Sequence, residues 1–446
     1  MKIIIAGAGE VGYYLAKQLA YEEHDITVID VDNAHLERTN ASTDVLTILG
    51  SSTSFKTLKD ARVADTDLLV AVTSSEAANI NTAILAKKLG AKKTIARVSS
   101  ADYIAEENIA LFNSLGIDHL IYPEELAAQE VVKLIERSAA TDIVDFEDGK
   151  LSIIGIKLGE SVPILQVPMK ELVKQYPSTA FRVVAIQRGM KTIIPSGDDI
   201  LVKNDQLFAI TTPDGIDDIV KLSGKESAKI ENIMILGGGK IGRKSAKLLE
   251  GTMNVKLIES DNEKTLELAD YLNKTLVIQG DGRDIDLLAM EGIIDMDAFI
   301  AVTNDAETNI ITSLMAKHLG VSKTIALVDN VDYIPLTQTI GLDSLINKKL
   351  IAANDISRFI RKSHLISVAT LQGVDADIFE YIVKPNSAIT KYPVKKLKFP
   401  TNAIIGGYVR NGKGYITVGD SQIQVDDKVV VFALPGAINK VEKFFN

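Results

Sequence analysis

Short apolar runs alternate with amphipathic stretches through the first third of the chain. Lys2–Ala6, Ile26–Asp30, Val45–Leu49, Leu68–Val72, Thr94–Val98 and His119–Ile121 are apolar along most of their length, the pattern of strands covered on both faces. Between them, VGYYLAKQLAYEE and EAANINTAILAKKLG place apolar residues at three- and four-residue spacing, which predicts helices. Strand and helix in alternation predict an α/β domain with a doubly wound, Rossmann-like parallel sheet. After about Ala139 the pattern changes. TDIVDF, GKLSIIGIKL, RVVAIQRG and DQLFAITTP are strand-like runs bounded by Gly, Asp and Pro, which predicts a smaller α+β domain.

The second half of the chain restates the first. GAGEVG (Gly7 to Gly12) answers to GGGKIG (Gly237 to Gly242), and ITVID ending at Asp30 to VKLIE ending at Glu259. LLVAVTSSEAANI and AFIAVTNDAETNI align Thr73 with Thr303 and Asn79 with Asn309, and Tyr103 aligns with Tyr333. The small domain recurs as well, since VGDSQIQVDDKVVVFALP matches PSGDDILVKNDQLFAITTP. A nearly constant offset of about 230 residues makes this a repeat of a two-domain unit. The expected organisation is a Rossmann-like domain over 1–138, a small domain over 139–224, a second Rossmann-like domain over 230–364 and a second small domain over 365–446. The polar stretch Lys221–Asn232 reads as the linker between halves.

Each glycine turn follows a strand, which gives its residues a mechanical reading. Gly7 permits a tight turn, Gly9 lets backbone approach a pyrophosphate, and Gly12 lets the next helix pack close to the strand; Gly237, Gly239 and Gly242 repeat them. A helix N-terminus then offers free N–H groups to phosphate. Asp30 lies 18 residues after Gly12 and Glu259 lies 17 after Gly242, the place of an acid that accepts from ribose hydroxyls and repels the extra phosphate of NADP. The halves differ at the far end of the crevice. Arg97 closes the fifth strand where the second half has Leu327, Ser51 stands opposite Asp281, and Lys240 and Arg243 stand opposite Glu10 and Tyr13.

Composition narrows the chemistry. With no cysteine among 446 residues there is no disulfide, thiolate metal site or catalytic thiol. A net charge of −10, without a basic stripe, argues against a nucleic-acid partner. No run reaches the roughly 18 to 20 apolar residues that span a bilayer, and Met1–Lys2 lead directly into a strand, leaving no room for a signal peptide. These features suggest a cytoplasmic protein. The five histidines (His24, His35, His119, His318 and His364) form no metal-spaced or acid/base set, and the Tyr13–Lys17 pair lies in the first helix, away from where a reductase would need it. Recognition of a nucleotide without reaction is the expectation. An NAD-dependent oxidoreductase is the alternative.

The tandem order, with GAGEVG, DVD at Asp30, AVTSSEAAN and IARV, resembles the peripheral subunit of Trk-type potassium uptake systems, built from the RCK or KTN domains that regulate potassium conductance. The resemblance covers essentially the whole chain. It implies RCK N-terminal and C-terminal domains in each half, and a non-enzymatic regulator. That regulator would sense NAD (NAD+ or NADH), with ATP or ADP as further candidates. It implies a homo-oligomeric ring, a tetramer, peripheral to the inner face of the membrane beneath a TrkH-like integral-membrane potassium-translocating subunit. A nucleotide-sensing regulator of another cation transporter would carry the same motifs. By resemblance, the nucleotide contacts in the first half are Gly7, Ala8, Gly9, Glu10, Val11 and Gly12, with Asp30, Ser51, Thr73, Ser74 and Arg97. Those in the second are Gly237, Gly238, Gly239, Lys240, Ile241 and Gly242, with Glu259, Asp281, Thr303 and Asn304. Ser51 and Leu327 depart from the family's usual Gly–Asp and arginine at those places. The segment Leu115–Pro123 is the expected hinge.

Overall fold

The computed structural model describes residues 1–20, 24–137, 140–159, 162, 164–175, 180–189, 191–222, 230–330, 333–334, 340–360, 365–370, 374 and 376–445. Most of the expected linker (223–229) and His364 lie outside the described residues. Contacts divide the chain into two compact units, residues 1–127 with 347–360 and residues 128–346 with 361–446.

In the first unit, β1 (Lys2–Ala6), β2 (Asp25–Asp30), β3 (Leu46–Leu49), β4 (Leu68–Ala71), β5 (Lys93–Arg97) and β6 (His119–Ile121) form one parallel sheet in the order β3-β2-β1-β4-β5-β6. Side chains alternate across it. Ile3, Ile5, Val28 and Val70 pack on one face with Leu15 and Leu19 of the helix Glu10–Ala20. Ile4, Ala6, Ile29 and Leu69 pack on the other with Leu58 and Ala86. Both faces are covered, which is why the runs are apolar at every position and not every second one.

The helix Lys348–Ile360 belongs to this unit although it lies more than two hundred residues further along the chain. Ala352 and Ile356, one turn apart, are fully buried against the face that carries Ile3 and Leu15. Its Asp355 receives His119 Nε2 at 2.8 Å, and Phe359 stacks on the His119 ring at 5.0 Å between centroids. His119 is thereby committed to packing. The sequence reading places this helix within the second Rossmann-like domain; its apolar face serves the first sheet.

The second unit contains the repeat of that sheet. β12 (Asn232–Leu236), β13 (Asn254–Glu259), β14 (Leu276–Gln279), β15 (Ala298–Ala301), β16 (Lys323–Leu327) and β17 (Ser344–Ile346) follow the order β14-β13-β12-β15-β16-β17. It also contains two five-stranded antiparallel sheets. β7 (Asp142–Phe146), β8 (Leu151–Lys157), β9 (Phe181–Arg188), β10 (Lys191–Ile193) and β11 (Gln206–Thr211) run β10-β9-β11-β8-β7. β18 (Leu365–Thr370), β19 (Asp377–Ile382), β20 (Ala403–Arg410), β21 (Lys413–Ile416) and β22 (Lys428–Ala433) run β18-β19-β22-β20-β21, the same topology read from the other end. The fold is thus two Rossmann-like doubly wound domains, each followed by a small α+β domain. The edge strands β10 and β21 are short hairpin returns that period alone does not reveal. Asn411 and Gly412 carry φ of 50° and 76°, the turn that an Asn-Gly pair prefers in a hairpin.

The two small sheets share one core. Leu151, Ile153, Val184, Phe208 and Ile210 of the first pack with Ile378, Val409, Val430 and Phe432 of the second. Gly406 marks a close approach, since a Cβ there would lie 3.0 Å from Ile210 Cγ2 and 3.2 Å from Val184 Cγ1. Each sheet also carries an arginine–aspartate fork at the corresponding place, Arg188 on Asp205 (2.9 and 2.8 Å) and Arg410 on Asp427 (2.7 and 2.7 Å).

Two expectations follow. Phe208→Ala should lower the unfolding free energy by about 3–5 kcal/mol, and urea melts should show both small domains losing stability together because Phe208 sits in the shared core. Asp142, where the first small domain begins, accepts from Gln206 Nε2 at 2.6 Å. Desolvation raises its carboxyl to about 6, against the hydrogen bonds of Thr141 and Gln206 and the charge of Lys323. A raised carboxyl contributes stability that is complete below the unfolded value near 3.8 and is lost as pH rises through about 6. Asp142→Asn should therefore match the parent chain near pH 3.5 and exceed it in stability at pH 7, read from denaturant melts at each pH.

Candidate functional site

The crevice opens at the carboxyl ends of β1 and β4, and of β12 and β15, where strand order reverses. Gly7 and Gly237 take φ of +106° and +101°, a conformation that L side chains rarely adopt. Gly12 and Gly242 are fixed by contact: a Cβ on either would lie 1.8 or 1.9 Å from the carbonyl oxygen of Gly7 or Gly237. Gly9 and Gly239 have nothing within 4 Å of a Cβ position, leaving the approach to the backbone open. Gly239 precedes the helix Lys240–Leu249 and makes no side-chain cap hydrogen bond, and a helix start is where backbone N–H groups can face an anion.

The acid at the end of the second strand is built into the turn. Asp30 Oδ2 accepts from the Ala8 N–H at 2.5 Å, and Oδ1 accepts from the Asp32 N–H at 2.8 Å. Glu259 repeats this, with Oε2 on the Gly238 N–H and Oε1 on the Asp261 N–H, both at 2.9 Å. Each carboxylate therefore positions its glycine turn and keeps acceptor lone pairs at the edge of the crevice. His35 Nδ1 stands 3.7 Å from Asp30.

Thr73 and Thr303 lie two residues beyond the fourth strands of the two sheets, and each is held by a buried asparagine. Asn79 Oδ1 accepts from the Thr73 N–H and hydroxyl at 2.8 and 2.6 Å, and its amide donates to the carbonyls of Thr73 and Arg97 at 3.1 and 2.9 Å. Asn309 makes the same four bonds to Thr303 and Leu327. Both asparagines are 1% exposed. The repeat AVTxxxxxN thus has a physical reason that spacing alone does not supply: one amide ties the ends of two adjacent strands at the rim of the crevice.

In the second half these residues surround a cavity of about 340 Å³ lined by Gly237, Gly239, Glu259, Asp281, Thr303 and Asn304, with Lys264 and Arg283 beside them. Gly238, Lys240, Ile241 and Gly242 do not line it. The Ile241 and Val11 side chains are buried, at 5% and 8% exposure, so those two positions offer a ligand backbone only. A Cβ at Gly238 would meet Leu268 Cδ1 at 2.3 Å, so that side chain would have to shift, whereas at the counterpart Ala8 a Cβ is accommodated. Asp281 is forked on Arg283, at 3.0 and 2.7 Å, and Arg283 holds its carboxyl below the usual range.

The first site differs in its charges. Ser51 bonds Thr53 Oγ1 at 2.8 Å, and Ser74 is exposed at the rim. Glu10, directly after Gly9, is held below its usual range first by the Arg38 guanidinium at 2.6 Å, then, against desolvation, by Lys349 at 3.4 Å. Arg38 in turn lies over the Tyr13 ring, 4.2 Å from its centroid, which gives Tyr13 a packing role. Lys349 comes from the helix Lys348–Ile360, so the first glycine turn is flanked by a cation from the far end of the sequence. Arg97 Nη2 lies 3.8 Å from Glu124 Oε1, and the other oxygen of Glu124 is buried without a hydrogen-bond partner. Leu327, at the matching place in the second half, is 4% exposed. Sequence reasoning named Arg97 but missed Arg38, Glu124 and Lys349, whose positions depend on which helices meet. Among the described residues, no group of three or more His, Asp or Glu is placed to hold a metal ion.

Two family models each match the chain twice. The TrkA-N domain matches residues 3–123 and 233–348, and the TrkA-C domain matches 153–224 and 378–446. The chain is 34% identical over 454 residues to Trk system potassium uptake protein TrkA homolog 1 of Methanosarcina mazei, covering all of both chains. It is 33% identical to the TrkA homolog of Archaeoglobus fulgidus, again over all of both, and 32% identical to TrkA of Haemophilus influenzae, over all of this chain and 98% of that one. Among solved structures it is similar in fold to the GsuK channel bound to NAD, with a TM-score of 0.61 at 17% identity, covering 100% of this chain and 78% of that one. The isolated GsuK RCK domain matches with a TM-score of 0.60, also at 17% identity, over 100% and 94%. With both domain types present twice and full-length relatives above 30% identity, the chain belongs to the TrkA family of Trk potassium uptake proteins.

Proposed function

We propose that this chain is a non-enzymatic, nucleotide-sensing regulatory subunit of a potassium uptake system. It takes NAD(H) at the first glycine turn and a nucleotide at the second, and it gates an integral-membrane potassium-translocating partner from the cytoplasmic side as a ring of four copies. One observation carries the reading: the same turn, clamping acid and strand-tying asparagine are built twice in a chain matched end to end by potassium uptake proteins. The nucleotide class is supported by the fold match to the GsuK channel bound to NAD, and by that to GsuK bound to ADP, with a TM-score of 0.51 at 16% identity over 81% of this chain and 69% of that one. No helix among the described residues is long and apolar enough to cross a membrane, which fits a partner that does the crossing.

The residues proposed to hold nucleotide divide by role. The backbone of residues 7–12 and 237–242 faces the phosphates, and Asp30 and Glu259 face ribose. Ser51 and Asp281 lie toward the base, while Thr73, Ser74, Thr303 and Asn304 form the rim, with Arg97 closing the first site alone. Gating requires that nucleotide bind one arrangement of the domains better than another, since a ligand shifts an equilibrium only by its differential affinity. The segment 115–123 between the helix Glu106–Leu115 and the helix starting at Pro123 is the proposed hinge.

Calorimetry tests the site. Asp30→Ala should weaken NADH binding by about 1–3 kcal/mol, the cost of removing a charged acceptor, and Asp30→Asn should lose less because one oxygen remains. Unchanged affinity in both would remove Asp30 from the site. Co-purification with a multi-span membrane protein, and loss of potassium uptake on deletion, test the function. Turnover of NADH with a metabolite at enzyme-like rates, with uptake intact after deletion, would refute it.

A further inference from the structure

Taken over the whole chain, the charge of −10 hides a local excess of the opposite sign. Between β19 and β20, residues 384–399 hold five lysines (Lys384, Lys391, Lys395, Lys396 and Lys398) and no acid. The turn Val394–Lys396 lies beside the C-terminal helix Ile438–Glu442. Val394, Leu397, Ile438 and Phe444 pack against one buried cluster, and the Ile389 N–H donates to the Phe444 carbonyl at 3.0 Å. Lys440 on that helix and Lys443 just after it extend the basic surface, against a single acid, Glu442. Lys391, Lys396, Lys398, Lys440 and Lys443 are exposed, and none makes a side-chain hydrogen bond or ion pair among the described residues. Lys395 is paired, with Asp420. Tyr392, 56% exposed, stands among them.

The first small domain builds the same surface with the opposite sign. Its turn is held by the same backbone bonds. The Lys170 N–H donates to Gly197 as Lys395 does to Gly419, and Glu171 donates to Pro168 as Lys396 does to Pro393, all at 2.8 Å. Glu171 is therefore the counterpart of Lys396. PDGIDDIVK, laid on PGAINKVEK, sets Asp214, Asp217 and Asp218 opposite Gly436, Asn439 and Lys440. Glu171, Asp214 and Asp217 are exposed. Lys170 is taken up by Asp198 at 2.7 Å, which leaves Lys174 as an exposed cation on that helix. Lysines crowded on one surface repel one another, and a surface of opposite potential relieves that repulsion. Anionic lipid or nucleic acid has the right sign but would meet a chain that is acidic overall. A second copy of the chain supplies the complement on the same backbone turn and helix.

We propose that the basic surface around Lys396 and Lys440 docks on the acidic surface around Glu171 and Asp217 of a second copy of this chain, with Tyr392 as the apolar anchor of the contact. The contact is head-to-tail. Each copy presents one basic and one acidic surface, so a succession of such contacts ends only when a ring closes. The proposal rests on the reading of the chain as a ring of copies and names a surface that builds it. Charge of this kind selects the partner and its orientation, and salt screens it.

The test uses the full chain, with assembly followed by sedimentation velocity at low and high salt. Two charge reversals are compared. Lys396→Glu with Lys440→Glu leaves a chain with two acidic surfaces, and Glu171→Lys with Asp217→Lys leaves one with two basic surfaces. Each alone should self-associate roughly tenfold more weakly than the parent chain, because like charges then face each other. An equimolar mixture of the two should recover the parent's assembly, and high salt should weaken it. The mixture keeps the test decisive where a reversal disturbs the fold, since only a complementary surface restores association. Assembly indifferent to both reversals and to salt would overturn the proposal and leave the ring to other surfaces. A mixture that associates no better than its components would overturn it as well. So would loss of binding to anionic phospholipid vesicles in the lysine variant with assembly unchanged, which would give the surface to a membrane. NADH affinity should stay at the parent value in both variants, so a failure here is separable from a failure of the nucleotide reading.

Discussion

In both Rossmann-like domains a carboxylate at the end of the second strand reaches back to the first N–H after a strained glycine. Asp30 on Ala8 and Glu259 on Gly238 do two things with one side chain. They fix the turn that exposes the following helix's N-terminus, and they set an acceptor at the edge of the crevice. The rest of the site is arranged around that clamp. The open faces at Gly9 and Gly239 are useful only because the turn is held, and Asn79 and Asn309 complete the rim by tying the next two strands. A substitution at the acid therefore disturbs the turn and the acceptor at the crevice edge together, since both depend on one pair of backbone hydrogen bonds.

The sequence made this frame legible where chemistry is local. Glycines required by φ or by contact with a carbonyl leave a fixed spacing, and an acid after the next strand follows from the length of one βαβ unit. Fully apolar runs disclosed sheets covered on both faces, and the offset between copies disclosed the tandem order. What the sequence left hidden depends on distant partners. Lys349 and Glu10 lie at opposite ends of the chain, and no periodicity indicates that they meet. Ile356 reads as a core residue of the domain that precedes it, because an apolar helix face does not specify which sheet it covers. The edge strands β10 and β21 were missed for another reason: three or four residues are too few to show a period.

The two copies are alike in their turns and unlike in their charges. The first places an acid directly after its open glycine and counters it with Arg38 and Lys349, and it keeps Arg97 at the far end of the crevice. The second places Lys240 after its open glycine, with Lys264 and Arg283 along the cavity and Leu327 where the arginine would be. Positive charge therefore stands at different points along the two crevices. Duplication followed by redistribution of cations is a direct route to two crevices of different charge within one fold.

The helix Lys348–Ile360 gives this history a constraint. It is encoded at the end of the second Rossmann-like domain, but its Ala352 and Ile356 complete the core of the first. A chain ending midway would possess every strand of its first sheet and every residue of its first glycine turn, yet the part of one apolar face that Ala352 and Ile356 cover would be bare to water and Glu10 would lack its lysine. The repeat is thus modular in sequence and inseparable in folding. During synthesis the N-terminal domain must wait for the second Rossmann-like domain before its core can close.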